Sequence, residues 1–435
     1  MITKRAFDSG AACCAVLAGA MCLSARSAET GEAPAAGGTG AVEPGGEGSK
    51  PAGVRFEGTD LHLGSAPPVS FHGFASQGFL YSPDYNYLGP TKDGSFQYTE
   101  VGVNLSWSPL ERTRIAVQGF TFDLGNVGNF EMLLDYASLE YAFDPAVGVR
   151  FGRIRRPGGI YNHIQDVDLA RTYVLLPQGM YDARWRDFST STDGGEIFGS
   201  VPLGKAGGLS YEFYAGYMSL SREGGVARSI ENGLPPAPMG RLDGIDRPLV
   251  VGGQLWWSTP VDGLRVGLSV GDVLGFGYDV TVPAPPTFAP AQMNFEGDIP
   301  FQQASIEYVL GRWTFQAEYF TYRFGAETSM GGMRVSEDTT SPDTWYVAVS
   351  RRLTSWLEAG AYYSEYYADT SDRESAAGYQ KDLAVSLRFD PTDWWIWKLE
   401  GHHLNGTAQI QDDARNPVRD DDGWWLLAVK TTVSF

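Results

Sequence analysis

Cysteine is missing from almost the whole chain: Cys13, Cys14 and Cys22 are the only three, all near the N-terminus. Disulfides and thiolate metal sites are therefore unavailable to the rest of the protein. Histidine is rare too. His402 and His403 are neighbours on an extended stretch and point to opposite faces, while His72 and His163 are isolated, so no pair is placed to share a metal. No apolar run after Leu23 is long enough to cross a bilayer as a helix. Lysine is scarce, and 33 basic residues face 52 acidic ones, a formal net charge of −19. That balance argues against nucleic acid as a partner.

What is present begins with a leader. Lys4 and Arg5 precede an apolar run from Ala11 to Leu23, and Ser24, Ala25, Ser27 and Ala28 follow. This is the layout of a secretory signal peptide over 1–28, with cleavage near Ser27 or Ala28. Met21 is too bulky for Cys22 to read as a lipidation site. The leader carries a net +2, so its removal takes the formal charge from −19 to −21. Residues 29–68 are rich in Gly, Ala, Pro and Glu and cannot bury enough apolar surface to fold, which predicts a disordered periplasmic tail.

From Val69 to Phe435 the signal is alternation. Val101, Val103, Leu105 and Trp107 oppose Glu100, Gly102, Asn104 and Ser106; Leu383, Val385, Leu387 and Phe389 oppose Asp382, Ala384, Ser386 and Arg388. Period 2 marks strands with one apolar face. About sixteen such segments recur, near 69–81, 98–108, 112–122, 132–143, 147–155, 194–202, 208–219, 249–258, 263–273, 301–310, 312–323, 342–352, 355–367, 379–389, 393–405 and 423–435. The last alternates Trp425, Leu427, Val429, Thr431, Val433 and Phe435 against Leu426, Ala428, Lys430, Thr432 and Ser434. About ten residues is the length of a tilted strand crossing a bilayer.

The joins alternate short and long. Pro109-Leu110-Glu111 and Asp390-Pro391-Thr392 are tight, whereas the odd-numbered joins are long. Trp256-Trp257, Trp394-Trp395, Trp397 and Trp424-Trp425 sit at strand ends, where amphipathic rings prefer the headgroup level. The fold class is therefore all-β: a transmembrane antiparallel β-barrel of about 16 strands over 69–435, with long external loops and short periplasmic turns. A barrel of that size is too wide for wall side chains alone to fill.

On this architecture, the loop pattern and the terminal Phe435, the chain resembles the sixteen-stranded Gram-negative outer-membrane porins, of the porin O/P-like branch. The resemblance implies an assembly signal at Phe435 read by barrel-assembly machinery, a homotrimer, and contact with outer-membrane lipid and lipopolysaccharide. It also implies that the third long join, about 156–194, enters the lumen as a constriction. That join brings Arg156, Asp166, Asp168, Arg171, Asp182, Arg184, Arg186 and Asp187, with Arg153 and Arg155 at its start. Guanidinium groups facing carboxylates across a narrow pore set a transverse field; the alternative is a set of solvated ion pairs.

Strand parity places Arg114, Arg150, Arg265, Arg388, Lys398 and Lys430 in the lumen, opposed by Glu100, Glu140, Glu212, Glu307, Glu318, Glu358, Asp382 and Glu400. Carboxylates lead slightly, which favours cations along the wall. Phosphate-selective members of the branch use lysine-rich lumens, and arginine stands in their place here. Small hydrophilic solutes or ions passing by diffusion are the first functional expectation, with no cofactor and no metal. A barrel plugged by its loops, with a structural or adhesive role, is the competing one; Pro235-Pro236-Ala237-Pro238 and Pro283-Ala284-Pro285-Pro286 stiffen two long loops. An enzyme ranks third: Gly267-Leu268-Ser269-Val270-Gly271 matches a nucleophile-elbow pattern but lies within a strand with no helix after it. Asp412, Asp413 and Asp420-Asp421-Asp422 read as a solvated loop face rather than a Ca²⁺ site.

Overall fold

A computed structural model describes residues 54–57, 59–63, 66–235, 239–284, 289–410, 416 and 423–435. The leader, Pro236-Ala237-Pro238, Pro285-Pro286 and the aspartates at 412, 413 and 420–422 lie outside the described residues.

Sixteen strands form one antiparallel barrel. The first eight are β1 (Val69–Tyr81), β2 (Tyr98–Leu110), β3 (Thr113–Leu124), β4 (Leu133–Asp144), β5 (Val147–Arg155), β6 (Ser191–Pro202), β7 (Gly208–Tyr217) and β8 (Leu249–Ser258). The rest are β9 (Leu264–Ala284), β10 (Ala289–Leu310), β11 (Trp313–Tyr322), β12 (Asp343–Arg352), β13 (Leu357–Tyr367), β14 (Tyr379–Thr392), β15 (Trp395–Gly406) and β16 (Trp424–Ser434). Each pairs with the next, and β16 returns to β1 from Leu427↔Tyr81 to Ser434↔Phe74. Closure leaves no open sheet edge inside a bilayer, where an unpaired backbone group would be costly.

The seam is completed by the last residue. Phe435 N donates to Gly73 O and Gly73 N donates to Phe435 O, both at 3.0 Å. The Phe435 ring covers Gly73 so closely that a Cβ there would meet ring carbon at 2.5 Å.

The two faces follow the alternation. On β15, Ile396, Lys398, Glu400, His402 and Leu404 are buried inside, while Trp397, Leu399 and His403 are exposed outside. On β16, Trp424, Leu426, Ala428, Lys430 and Thr432 are buried, and Trp425, Leu427 and Val433 are exposed. Exposed Trp257, Trp313, Trp356, Trp394 and Trp397 lie next to the short turns. Apolar residues outside and ionisable ones inside invert a soluble sandwich, as a lipid solvent requires.

Several elements depart from the sequence expectation. Val54–Glu57 and Asp60–Leu63 form a hairpin inside the stretch read as disordered tail, and it pairs with β1 at Leu61↔Val69, just beyond Phe435. Val54, Phe56, Leu61 and Leu63 alternate, but glycine-rich flanks mask so short a signal. β9 and β10 continue together to Ala284 and Ala289, so the region near 274–300 is a hairpin extension rather than a coil. Its outer part adds Arg241–Ile245 on one side and Phe324–Met330 with Met333–Thr340 on the other. A helix, Gly225–Gly233, forms in the join between β7 and β8.

The main core lies inside the barrel. Tyr161, Met180, Tyr181, Trp185 and Phe188 from the join between β5 and β6 pack against Tyr214, Trp256, Phe276, Tyr346 and Tyr362 of the wall and its extensions. A large buried aromatic contributes about 1.5–3 kcal/mol by leaving water. The interior of a wide barrel is thus occupied by its own third external loop.

Candidate functional site

The third loop, residues 156–190, leaves β5 and re-enters at β6. Pro157, Gly158-Gly159 and Pro177 forbid a long regular element, and the loop is built from short turns at Asn162–Ile164, Asp168–Ala170 and Ala183–Trp185 with one helical turn at Arg186–Ser189. Among residues 156–190 only Ala170 is exposed. A segment so buried must satisfy its polar groups internally, and four anchors do so.

In the first, Arg155 and Arg186 both bind Asp135 of β4 and Asp166 of the loop, with Arg186 Nη2 at 2.5 Å from Asp135 Oδ1. Gln118 Nε2 donates to Asp135 at 2.9 Å. In the second, Asp168 accepts from Lys398 Nζ at 2.9 Å, Thr432 Oγ1 at 2.6 Å and Arg171 at 3.2 Å, and Lys430 lies 3.5 Å away while binding Glu100 at 2.5 Å. In the third, Glu400 accepts from the Val174 and Leu175 amides at 2.9 and 2.8 Å, and His402 sits 3.0 Å from both Glu400 and Asp382. In the fourth, Glu318 accepts from Ile160 N at 3.0 Å, Ser305 Oγ at 2.5 Å, Tyr346 OH at 2.7 Å and Tyr181 OH.

Smaller ties complete the seat. Thr172 donates to Glu358 at 2.6 Å, Arg388 to Leu169 O at 2.6 Å, and Arg156 to Phe188 O and Ser189 O at 2.6 and 2.9 Å. Arg184 binds Asp182 and reaches Gln409 O at 3.0 Å. The loop thereby touches walls on opposite sides of the barrel.

Most of the expected charges are therefore brought together, but as closed, buried pairs instead of opposing rows across water; Arg156 binds backbone carbonyls and Asp187 forms no ion pair. Arg153 stands apart from them: it binds Asp193 at 3.1 Å, which also holds Arg247 at 3.0 Å. Toward the short turns, Arg265 binds Glu307 at 2.8 Å and Arg150 binds Glu140 and Glu196, each at 2.8 Å. Arg114 is exposed.

Asp135, Gln118 and Glu196 were not singled out by the sequence. The β3–β4 register shifts at Gln118/Gly119 and skips Asp135, so a bulge aims this carboxylate inward against simple parity. Glu196 faces Arg150 directly across β5–β6, and parity from Glu212 was the signal that could have found it.

Electrostatics sharpen two loop positions. Burial works against the Asp168 carboxylate, but Lys398, Lys430 and Arg171 outweigh it and hold its pKa well below the ordinary value. Asp187 behaves oppositely. Its carboxyl is buried against Gly224 at the start of the helix Gly225–Gly233, without an ion-pair partner, and burial outweighs the nearby backbone N–H groups and pushes its pKa up to about 7.

Beside the loop, against β2 and β3, lies a cavity of about 20 Å³ lined in part by Glu100, Gln165, Asp166, Arg171, Gln178 and Arg186. That is room for a water but not for a larger solute.

No protein-family model matches the chain, and no curated protein does. Solved structures do match. The anion-selective porin from Comamonas acidovorans is 11% identical, covers 84% of this chain and 99% of its own, and superposes with a TM-score of 0.54. OmpT of Vibrio cholerae, an outer-membrane protein, is 12% identical over 88% of this chain and 100% of its own, with a TM-score of 0.53. OmpF of Salmonella typhi, in complex with daunomycin, is 13% identical over 85% and 98%, with a TM-score of 0.51. At such identities the likeness is one of fold: a porin-type, sixteen-stranded barrel.

Proposed function

We propose that this chain, with the fold of outer-membrane porins, is a channel in the outer membrane of a Gram-negative bacterium that passes small hydrophilic solutes or ions by passive diffusion, with the third loop limiting passage. The observation that carries the reading is the inverted wall. Ionisable groups of both signs, including Arg150, Arg265, Glu307 and Glu358, face a lumen whose outer surface is apolar. A barrel serving only as an anchor has no use for them. The loop packs across the lumen from wall to wall, so the resting conductance is small.

A second reading has an observation of its own. That Ala170 alone of 156–190 is exposed, the rest being buried or half-buried, favours a plugged barrel with a structural or adhesive role. Swelling of protein-loaded liposomes in isosmotic sugars of graded size separates the two: swelling with the smallest solutes supports a channel, and none with any solute supports the plug.

No catalytic role is assigned. Ser269 is buried mid-strand on β9, 3.5 Å from the Gly159 amide, without the strand–turn–helix setting its motif needs. A homotrimer, held among lipid and lipopolysaccharide and delivered by barrel-assembly machinery, fits the fold; cross-linking of the native membrane protein tests the copy number.

A further inference from the structure

Two polar atoms of the third loop are left over when its four anchors are closed. Gln165 Oε1 and Arg171 Nε have no hydrogen-bond partner among the described residues, although both side chains are more than nine-tenths buried. Such groups are paired in folded proteins, either by the protein or by ordered water. Both residues line one cavity, the space of about 20 Å³ between the loop and the β2–β3 wall. The chemistry of the lining restricts the occupant. Glu100, Asp123 and Asp166 present carboxylates and turn an anion away; Arg171 and Arg186 present guanidinium groups and turn a cation away. An apolar molecule satisfies neither leftover atom. The occupant has to accept from Arg171 Nε, donate to Gln165 Oε1 and fit about 20 Å³, which a water does.

We infer that this cavity is a binding site for one ordered water, and that the water ties the loop's first anchor to its second against the β2–β3 wall. Gln165 adjoins Asp166 of the first anchor, and Arg171 belongs to the second through Asp168. The water accepts from Arg171 Nε and donates one hydrogen to Gln165 Oε1. Its other hydrogen goes to Glu100, whose bonds from Ser76 at 3.2 Å and Lys430 at 2.5 Å both fall on Oε2. Three bonds are usual for a buried water. The turn Asp168–Ala170, which carries the exposed Ala170, is thereby held on both sides. The water serves a conducting and a plugged barrel alike, because it acts on how the loop is seated.

Two measurements test this. Crystals of the wild-type barrel, grown with rubidium bromide and diffracting well enough to show ordered solvent, give the direct one. The expected result is a single oxygen-weight peak in the cavity, about 2.7–3.2 Å from both Arg171 Nε and Gln165 Oε1. An empty cavity, a peak that reaches only one of the two atoms, or an anomalous signal from rubidium or bromide there overturns the site. Amide hydrogen exchange of the refolded wild type beside Gln165→Leu gives the second readout. The variant removes the acceptor, and exchange of the 166–171 amides rises roughly five- to tenfold while that of the wall strands is unchanged. Equal exchange at 166–171 in the two proteins overturns the tie between the anchors even if the water is present. Should Gln165→Leu fail to fold, the wild-type crystal decides alone.

Discussion

Asp168 shows what holds the loop. Its carboxylate gathers Lys398, Thr432, Arg171 and, at longer range, Lys430, all buried. A buried ion pair is weak evidence of net stability, because desolvation offsets much of the attraction. Removing one partner is another matter. Asp168→Ala leaves buried Lys398 and Arg171 without a carboxylate partner and costs about 3–5 kcal/mol, read as a lower denaturant midpoint for the refolded barrel. Because Asp168 is held below its ordinary pKa, its contribution is present above the ordinary carboxylate pKa and lost as pH falls through the depressed folded value.

Asp187 has the opposite sign. Its folded pKa rises from 3.8 to about 7, so the packed loop is most stable below the ordinary carboxylate pKa and loses stability as pH rises toward 7. The loss is at most about 4 kcal/mol, from the pKa difference alone. Asp187→Asn should flatten this dependence: amide exchange in 186–189 and 225–233 would become pH-independent in opening free energy between about pH 4 and pH 8. If wild type and variant keep the same slope, the burial account of Asp187 is wrong.

Among elements, strands were legible and their internal use was not. Val69–Tyr81, Val147–Arg155 and Leu249–Ser258 coincide with the alternating segments, because lipid outside and polar groups inside write period 2 directly into the chain. The third loop was legible as an element crowded with Arg and Asp. That these charges close onto one another was not, since pairing depends on the Asp135 bulge and on wall residues far away in sequence, such as Lys398 and Thr432. The outer extensions of β9 and β10 were missed because Gly275, Pro283 and Pro290 read as loop, although one is a bulge and two pair at the hairpin's end. At the barrel seam, Gly73→Leu intrudes on the Phe435 ring. Both this variant and deletion of Phe435 should lower the yield of heat-modifiable, folded barrel in outer-membrane fractions severalfold, while Ala75→Leu on the same exposed face should not.

For the whole molecule, the account is a lipid-facing shell, a charged wall and a loop seated between them by four polar anchors and an aromatic core. In the proposed channel, passage would then depend on the loop more than on the shell. The most direct measurement is single-channel conductance of the purified wild type beside a variant in which 158–188 is replaced by a short Gly-Ser link. The account predicts small steady steps for the wild type and steps several times larger for the variant, both from folded barrels. Equal conductance in the two, or a variant as silent as a silent wild type, would contradict the claim that the third loop limits a channel running through this barrel.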